Sequence, residues 1–325
     1  MLVSTPILRL VALSSLLFPL AVTAQRNPKR GLCFTPNSDY PEDNKVWTQP
    51  GSELSWYYNY GVDPSPAFAD LSQEEFEFIP MMWGVNSDNL DDTSFRDRVT
   101  RLVEDGRNIT RVLSFNEPDI DHSGGSGIPP RDAAQAWVAN FVPLQKMGIQ
   151  VGLPAMTGAP AGLVWLHEFL DHCSDLISAE SNSRTNCTYD FLPVHWYDNF
   201  EGFASHIGER VAHFPNTSIW VTEYAYAHQD LEPTQQFFNT SLEYLDRLDE
   251  IGGYTYFGAF RSAESNVGPN APFLNNAGEL TDIGAWYLGL DASGVDPQSA
   301  AVPWRAPLGM AVAASIVGIS FAMGL

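Results

Sequence analysis

Apolar residues along the chain gather into short runs, too continuous for half-exposed strands and too brief for helices. They occupy positions 31–35, 56–60, 78–83, 111–115, 150–154, 191–196, 219–222 and 254–257. Runs of this length, rich in Val, Ile, Phe, Trp and Tyr, predict strands buried on both faces. Between them lie helix-length segments at 93–105, 130–147, 162–172, 203–213, 233–250 and 282–290. Pro129 and Pro130 mark one helix start, while Gly148 and Gly252 follow two helix ends, the usual asymmetry of these residues. Alternating β and α segments without a domain linker predict a parallel sheet. Eight such repeats in about 260 residues predict an α/β fold of one kind, a single (β/α)8 TIM barrel. An open doubly wound sheet is the competitor, but the first strand runs into Phe34-Thr35-Pro36-Asn37, which is no glycine-rich phosphate loop.

The two ends follow a different pattern. Residues 1–24 carry Arg9, an apolar run at 11–22 and the small-residue site Val22-Thr23-Ala24 before Gln25. That is the layout of a secretory signal peptide, and the run is too short to span a bilayer. Residues 308–325 are apolar throughout, without the cationic flank of a stop-transfer helix. Small residues stand upstream at Ser299-Ala300-Ala301, or alternatively at Asp291-Ala292-Ser293. Small site, polar spacer and apolar tail predict a GPI-anchor signal; a tail-proximal transmembrane anchor is the alternative. The expected division is a signal peptide at 1–24, a catalytic domain at 25–290, a linker with the attachment site at 291–307 and a hydrophobic tail at 308–325. Such a protein is secreted and held at the cell surface or cell wall.

Four sequons predict N-glycans at Asn108, Asn186, Asn216 and Asn239. Three cysteines in an oxidising compartment predict one disulfide. Cys173 and Cys187 bracket a polar loop that their pairing would close, whereas Cys33 sits in an apolar run and is expected as a buried thiol.

Charge narrows the partners. The 325 residues include 39 acidic and 17 basic side chains, a net charge of −22. No basic stripe is available to neutralise phosphates, which argues against nucleic acid and against a polybasic grip on lipid. Membrane contact is therefore expected through the anchor alone. An apolar share of 44% rules out a disordered chain. The 9 Trp, 12 Tyr and 19 Phe suit a neutral partner with apolar C–H faces, such as a sugar. Asp119, Asp121 and His122 adjoin the flexible tract 123–127, a poor geometry for a metal. Neither metal nor cofactor is expected, and the chain is expected to act as a monomer. There is no Gly-x-Ser-x-Gly elbow and no Cys-x-x-Cys pair.

Barrel chemistry gathers at the carboxyl ends of strands. Strand four ends in Asn116-Glu117-Pro118-Asp119, strand seven in Thr222-Glu223-Tyr224, strand six in His195-Trp196-Tyr197-Asp198 and strand three in Met82-Trp83-Gly84. One glutamate after a strand is usually a helix cap or solvated. Two of them, on opposite sides of a barrel mouth, can converge on one bond, as glycoside hydrolysis requires. Trp83, Trp196 and Tyr197 are candidate sugar platforms, Tyr58 and Asn59 candidate subsite residues, and Phe257 a candidate wall. Asn116 is a candidate donor to a sugar hydroxyl, with an Asx-turn as its plainer role. His195 and Tyr224 are candidate donors holding a glutamate.

These residues resemble glycoside hydrolase family 128, within the large clan of (β/α)8 retaining glycosidases. The resemblance runs from about Arg30 to Gly289. Its carriers include Arg30-Gly31-Leu32-Cys33-Phe34, Trp56-Tyr57-Tyr58-Asn59-Tyr60, Asn116-Glu117-Pro118-Asp119, Val194-His195-Trp196-Tyr197, Thr222-Glu223-Tyr224 and Leu280-Thr281-Asp282-Ile283-Gly284. It implies a retaining endo-β-1,3-glucanase with Glu117 as acid/base and Glu223 as nucleophile, their carboxyls roughly 5–5.5 Å apart. A glycosidase or transglycosylase of other linkage specificity, or a glucan-binding protein without turnover, are the rival expectations.

Overall fold

The computed structural model describes residues 26–122, 124–179 and 183–299. Eight parallel strands run through them: β1 (Gly31–Cys33), β2 (Trp56–Tyr58), β3 (Glu77–Phe78), β4 (Arg111–Val112), β5 (Gln150–Val151), β6 (Phe191–Trp196), β7 (Ser218–Tyr224) and β8 (Ile251–Tyr256). The α-helices begin after β3: α1 (Ser94–Glu104), α2 (Pro130–Lys146), α3 (Ala161–Ser178), α4 (Phe200–His213), α5 (Leu231–Arg247) and α6 (Asp282–Tyr287). β1 and β2 are followed instead by the short 3₁₀ segments Asp43–Thr48 and Pro66–Phe68.

The strand ladders form three parallel sheets, β1-β2-β3, β4-β5 and β6-β7-β8. Single parallel bridges join them, Met81 to Leu113, Gly152 to Phe191 and Arg30 to Tyr254. The architecture is thus an α/β fold of parallel strands, without the continuous closed ladder that the sequence pattern predicts. Proline contributes to the gaps: Pro80 and Pro154 stand just beyond the ladders of β3 and β5 and have no N–H to donate.

Side-chain alternation divides the interior in two. Leu32, Tyr57, Val112, Val221 and Tyr224 face outward into the main core, against the helices. Cys33, Trp56, Ile79, Leu113, Phe191 and Trp220 form a separate inner cluster contributed by six strand regions. Trp220 lies at its centre, its ring 4.9 Å from Trp56 and 5.0 Å from Phe191. This aromatic plug closes the inner space below the carboxyl ends of the strands, so a ligand can enter from that side.

Cys173 of α3 is disulfide-bonded to Cys187, while Cys33 is free and buried. Closing a loop with a sequence separation of 14 is worth about 3 kcal/mol on chain-entropy grounds. Asn108, Asn186 and Asn216 are exposed in connecting segments, and Asn239 is exposed on α5. The segment 291–299, which composition assigns to the linker, lies against the domain. Ser293 Oγ and Gly294 N donate to Asp282, and Gln298 and Ser299 bond Asn270 and Asn275. The expected signal peptide at 1–24 and tail at 308–325 lie outside the described residues. No described helix is long and apolar enough to cross a membrane.

Candidate active site

The site is built where β4, β6 and β7 end. In the β6–β7 ladder Val194 pairs with Val221, but the next pair is His195 with Glu223, a shift of one residue. A further irregularity separates Val221 from Tyr224 in the β7–β8 ladder. Such bulges re-aim side chains, and here two consecutive residues of β7 reach the same histidine. His195 Nε2 lies 3.1 Å from Thr222 Oγ1, and its Nδ1 lies 3.5 Å from Glu223 Oε2 and 2.8 Å from Glu117 Oε1. Glu117 arrives from β4 on a left-handed backbone, φ 41°, with its N–H bonded to the Ala155 carbonyl at 2.7 Å. A non-glycine residue in that region stores roughly 1–3 kcal/mol of strain.

One donor atom each from Glu117, His195 and Glu223 lies within 4.8 Å of the others, and all three residues are buried. Both oxygens of Glu223 accept tyrosine hydroxyls, Oε1 from Tyr60 at 2.9 Å and Oε2 from Tyr197 at 2.5 Å. Burial pushes the Glu223 carboxyl above its ordinary value; His195 opposes this, Glu117 reinforces it, and the two tyrosines again pull downward. Burial also disfavours charge on His195, yet the neighbouring glutamates outweigh it and hold the imidazole above its ordinary value. The hydroxyls of Tyr60 and Tyr197 are pushed far up, by burial first and by Glu223 second, so both stay protonated as donors.

The carboxylates open into a cleft of about 810 Å³ lined by Tyr60, Trp83, Asn116, Trp196, Tyr197 and Phe257, among others. A second cavity of about 480 Å³ continues it past Thr35, Tyr60, Phe257 and Asn266 toward Asn37 and Phe260. Trp83 is 40% exposed and presents a free ring. Trp196 is held at the wall by its indole N–H on the Asn199 carbonyl, 2.9 Å. Asn116 donates to the Gly124 carbonyl at 3.1 Å, and its buried Oδ1 has no partner. One amide hydrogen thus serves the loop rather than a sugar.

Three expected contacts need correction. Tyr58 is fully buried in the inner cluster and donates to the Thr222 carbonyl at 2.8 Å, below the cleft. Asn59 is taken up in a turn, its amide on the Asp63 carbonyl at 2.9 Å. Tyr224 points to the opposite face of β7 and stacks on Phe203 of α4, centroids 5.3 Å apart, so it cannot hold Glu223. His195, a candidate donor to a glutamate, is 1% exposed and stands against both Glu117 and Glu223. Tyr60 is the residue that sequence reading missed. Its signal was present: period-two alternation puts Tyr60 on the same face as Tyr58, one step nearer the mouth.

Glu117, His195 and Glu223 are also the described residues with donor atoms close enough to share a cation. Their atoms are engaged with one another and with the two tyrosines, however, as a hydrogen-bonded set. Asp119 accepts from Thr157 N at 3.1 Å and Thr157 Oγ1 at 2.6 Å, which commits it to the loop after β5.

The glycosyl hydrolase catalytic core family model matches residues 31–287. In sequence the chain is similar to alkali-sensitive linkage protein 1 of Schizosaccharomyces pombe, 27% identical over 270 residues. That match covers 80% of this chain and 44% of the relative, so the chain spans less than half the length of that protein. Among solved structures it is similar to a family 128 (subgroup IV) endo-β-1,3-glucanase from Lentinula edodes, at 26% identity and TM-score 0.62, covering 80% of this chain and 99% of the other. It is also similar to a subgroup III curdlan-specific exo-β-1,3-glucanase from Blastomyces gilchristii, at 27% and 0.61, covering 81% and 100%. A subgroup VII oligosaccharide-binding protein from Cryptococcus neoformans shares the fold, at 22% identity and TM-score 0.60, over 82% and 94% of the two chains.

Proposed function

The chain belongs to the glycosyl hydrolase catalytic core family, glycoside hydrolase family 128, and from that premise we propose that it is a retaining endo-β-1,3-glucanase. The observation that carries this reading is the closeness of Glu117 and Glu223, whose nearest donor atoms lie within 4.8 Å of each other and of His195 at the floor of an open cleft. Such close carboxylates support direct attack by one of them, as in retaining enzymes with carboxyls roughly 5–5.5 Å apart, over the roughly 6.5–9.5 Å of an inverting pair. Internal cleavage is the reading favoured by the second cavity, which shares Thr35, Tyr60, Phe257 and Asn266 with the cleft and gives space on the far side of them. The single bridges from β3 to β4, β5 to β6 and β8 to β1, together with the inner aromatic cluster, support reading the strands as a (β/α)8 barrel.

In this reading Glu223, held between Tyr60 and Tyr197, attacks the anomeric carbon as a carboxylate. The glycosidic oxygen takes the proton of Glu117 as its bond to that carbon breaks, leaving a glycosyl ester on Glu223. Glu117, now ionised, accepts a proton from water, whose oxygen attacks the anomeric carbon and releases Glu223. His195 Nδ1 is paired with Glu117 Oε1 at 2.8 Å, which leaves Oε2 of Glu117 to handle the moving proton. Linear β-1,3-glucan followed by NMR tests the whole scheme. β-Anomeric product appears first, and Glu223→Gln abolishes it. First-formed α-anomer would remove the retaining mechanism, and tight binding without cleavage would establish a glucan-binding protein.

We propose a location from the composition of residues 1–24 and 308–325. We read the protein as a secreted glycoprotein tethered by a GPI anchor at the cell surface or wall, acting as a monomer. Because Ser293 and Gly294 bond Asp282, attachment at Ser299-Ala300-Ala301 preserves the packed domain better than attachment at 291–293. Release from cells by a phosphatidylinositol-specific phospholipase is the expected result; retention would favour a transmembrane anchor.

A further inference from the structure

Among the described residues four non-glycines have positive φ: Tyr60 at 61°, Glu117 at 41°, Asn216 at 63° and His228 at 58°. Asn216 lies in the exposed turn between α4 and β7, and asparagine tolerates that conformation. The other three all line the cleft. For two of them the strained backbone delivers a side chain to the carboxylate pair, Glu117 itself and the Tyr60 hydroxyl on Glu223.

His228 has no such partner. Its side chain is exposed, and neither ring nitrogen bonds another described residue. Its backbone, in contrast, is firmly held. His228 N donates to the Val267 carbonyl at 2.8 Å, and Asn270 Nδ2 donates to the Gln229 carbonyl at 2.9 Å. Gly268, itself at φ 91°, comes so close that a Cβ there would lie 2.9 Å from His228 Cα. The loop after β8 therefore enforces a conformation that glycine would adopt without steric cost. The ring is thereby fixed on the rim beside Ala227, Asn266 and Val267, exposed to the cleft with both nitrogens unengaged among the described residues and available to a ligand.

We infer that His228 binds a glucosyl unit at the β7–β8 rim of the cleft, its imidazole exchanging hydrogen bonds with sugar hydroxyls. A neutral imidazole offers one donor and one acceptor, which matches a hydroxyl-rich neutral ligand. This rests on the glucan reading above, so the test must separate the two. Binding of the linear β-1,3-linked glucose hexasaccharide is measured by calorimetry in the Glu223→Gln background, where the ligand survives. His228→Gly and His228→Asn are added to it, both compatible with the left-handed backbone. The melting temperature is expected to hold or rise in His228→Gly. The Kd is expected to rise roughly five- to tenfold in His228→Gly and less in His228→Asn. An unchanged Kd in both variants overturns the role of His228. Failure of the Glu223→Gln parent to bind at all sinks the glucan reading instead, and the inference with it.

Discussion

His195 Nδ1 and Glu117 Oε1 are 2.8 Å apart, and the same nitrogen is 3.5 Å from Glu223. One buried imidazole thus stands against both carboxylates. Without it, Glu117 would lose its partner at Oε1, and Glu223 would be held by Tyr60 and Tyr197 alone. His195 is therefore a positioning residue for the pair, one that a bulge in β6–β7 brings within reach.

Replacing His195 with Ala removes a hydrogen bond to a carboxyl group, worth roughly 1.5–3 kcal/mol. The expected fall in kcat/KM on laminarin is about 10- to 100-fold, with the fold retained by circular dichroism. Wild-type turnover in His195→Ala would show that the tyrosines alone hold the site.

The stability contributed by Glu223 and His195 should decline with rising pH. Glu223 lies above its ordinary 4.5 through burial and Glu117, and His195 lies above 6.5 because the glutamates outweigh the cost of burying its charge. Each binds its proton more tightly folded than unfolded, so the stability these two groups contribute falls as pH rises, opposite in sign to buried His206, whose imidazole is pushed down to about 3 by burial. The contribution is complete below 4.5 for Glu223 and below 6.5 for His195, and is lost as pH climbs through the folded values. Glu223→Gln cannot ionise, so it should flatten this slope and melt higher than wild type at neutral pH. Thermal melts across the pH range measure it; an unaltered slope in the variant would assign the effect elsewhere.

Tyr60 and Tyr197 pull the Glu223 carboxyl downward by donating to it. Tyr60→Phe should move the acid limb of kcat/KM to higher pH by roughly half to one unit, the equivalent of one hydrogen bond. Tyr197→Phe should act in the same direction, and the double variant should move further. An acid limb that stays in place would detach it from Glu223.

Trp196 owes its posture to a missing side chain. A Cβ on Gly202 in α4 would lie 2.3 Å from Trp196 Cζ2, so Gly202→Ala must displace the indole. KM for long β-1,3-glucan is expected to rise several-fold, on the scale of one lost aromatic contact of about 0.5–1.5 kcal/mol, with kcat little changed. A kcat loss with unchanged KM would place the effect on the carboxylates instead.

Much of this protein is written in local pattern. Buried strands such as 191–196 are marked by continuous apolar runs, because a strand covered on both faces has no polar side to show. Pro130 at the start and Gly148 after the end of α2 follow the usual asymmetry, whereas Gly252, expected after a helix, lies inside β8. The pairing of Cys173 with Cys187 was legible as two cysteines that bracket a polar loop. Glu117 and Glu223 were legible as a pair, since one glutamate after a strand is commonplace but two at strand ends across the same mouth can converge; their separate roles came from the family resemblance. What sequence could not decide was which way each neighbour faces. Tyr224 was expected beside Glu223 and lies on the far side of β7; Tyr58 sits below the cleft, and Tyr60 takes the position that matters. The one-residue shift between Val194 and His195 depends on how two strands 27 residues apart settle against each other. Such a shift exchanges inward and outward faces at almost no local cost, so no short stretch of chain encodes it. The packing of the whole strand array around Trp56, Phe191 and Trp220 does.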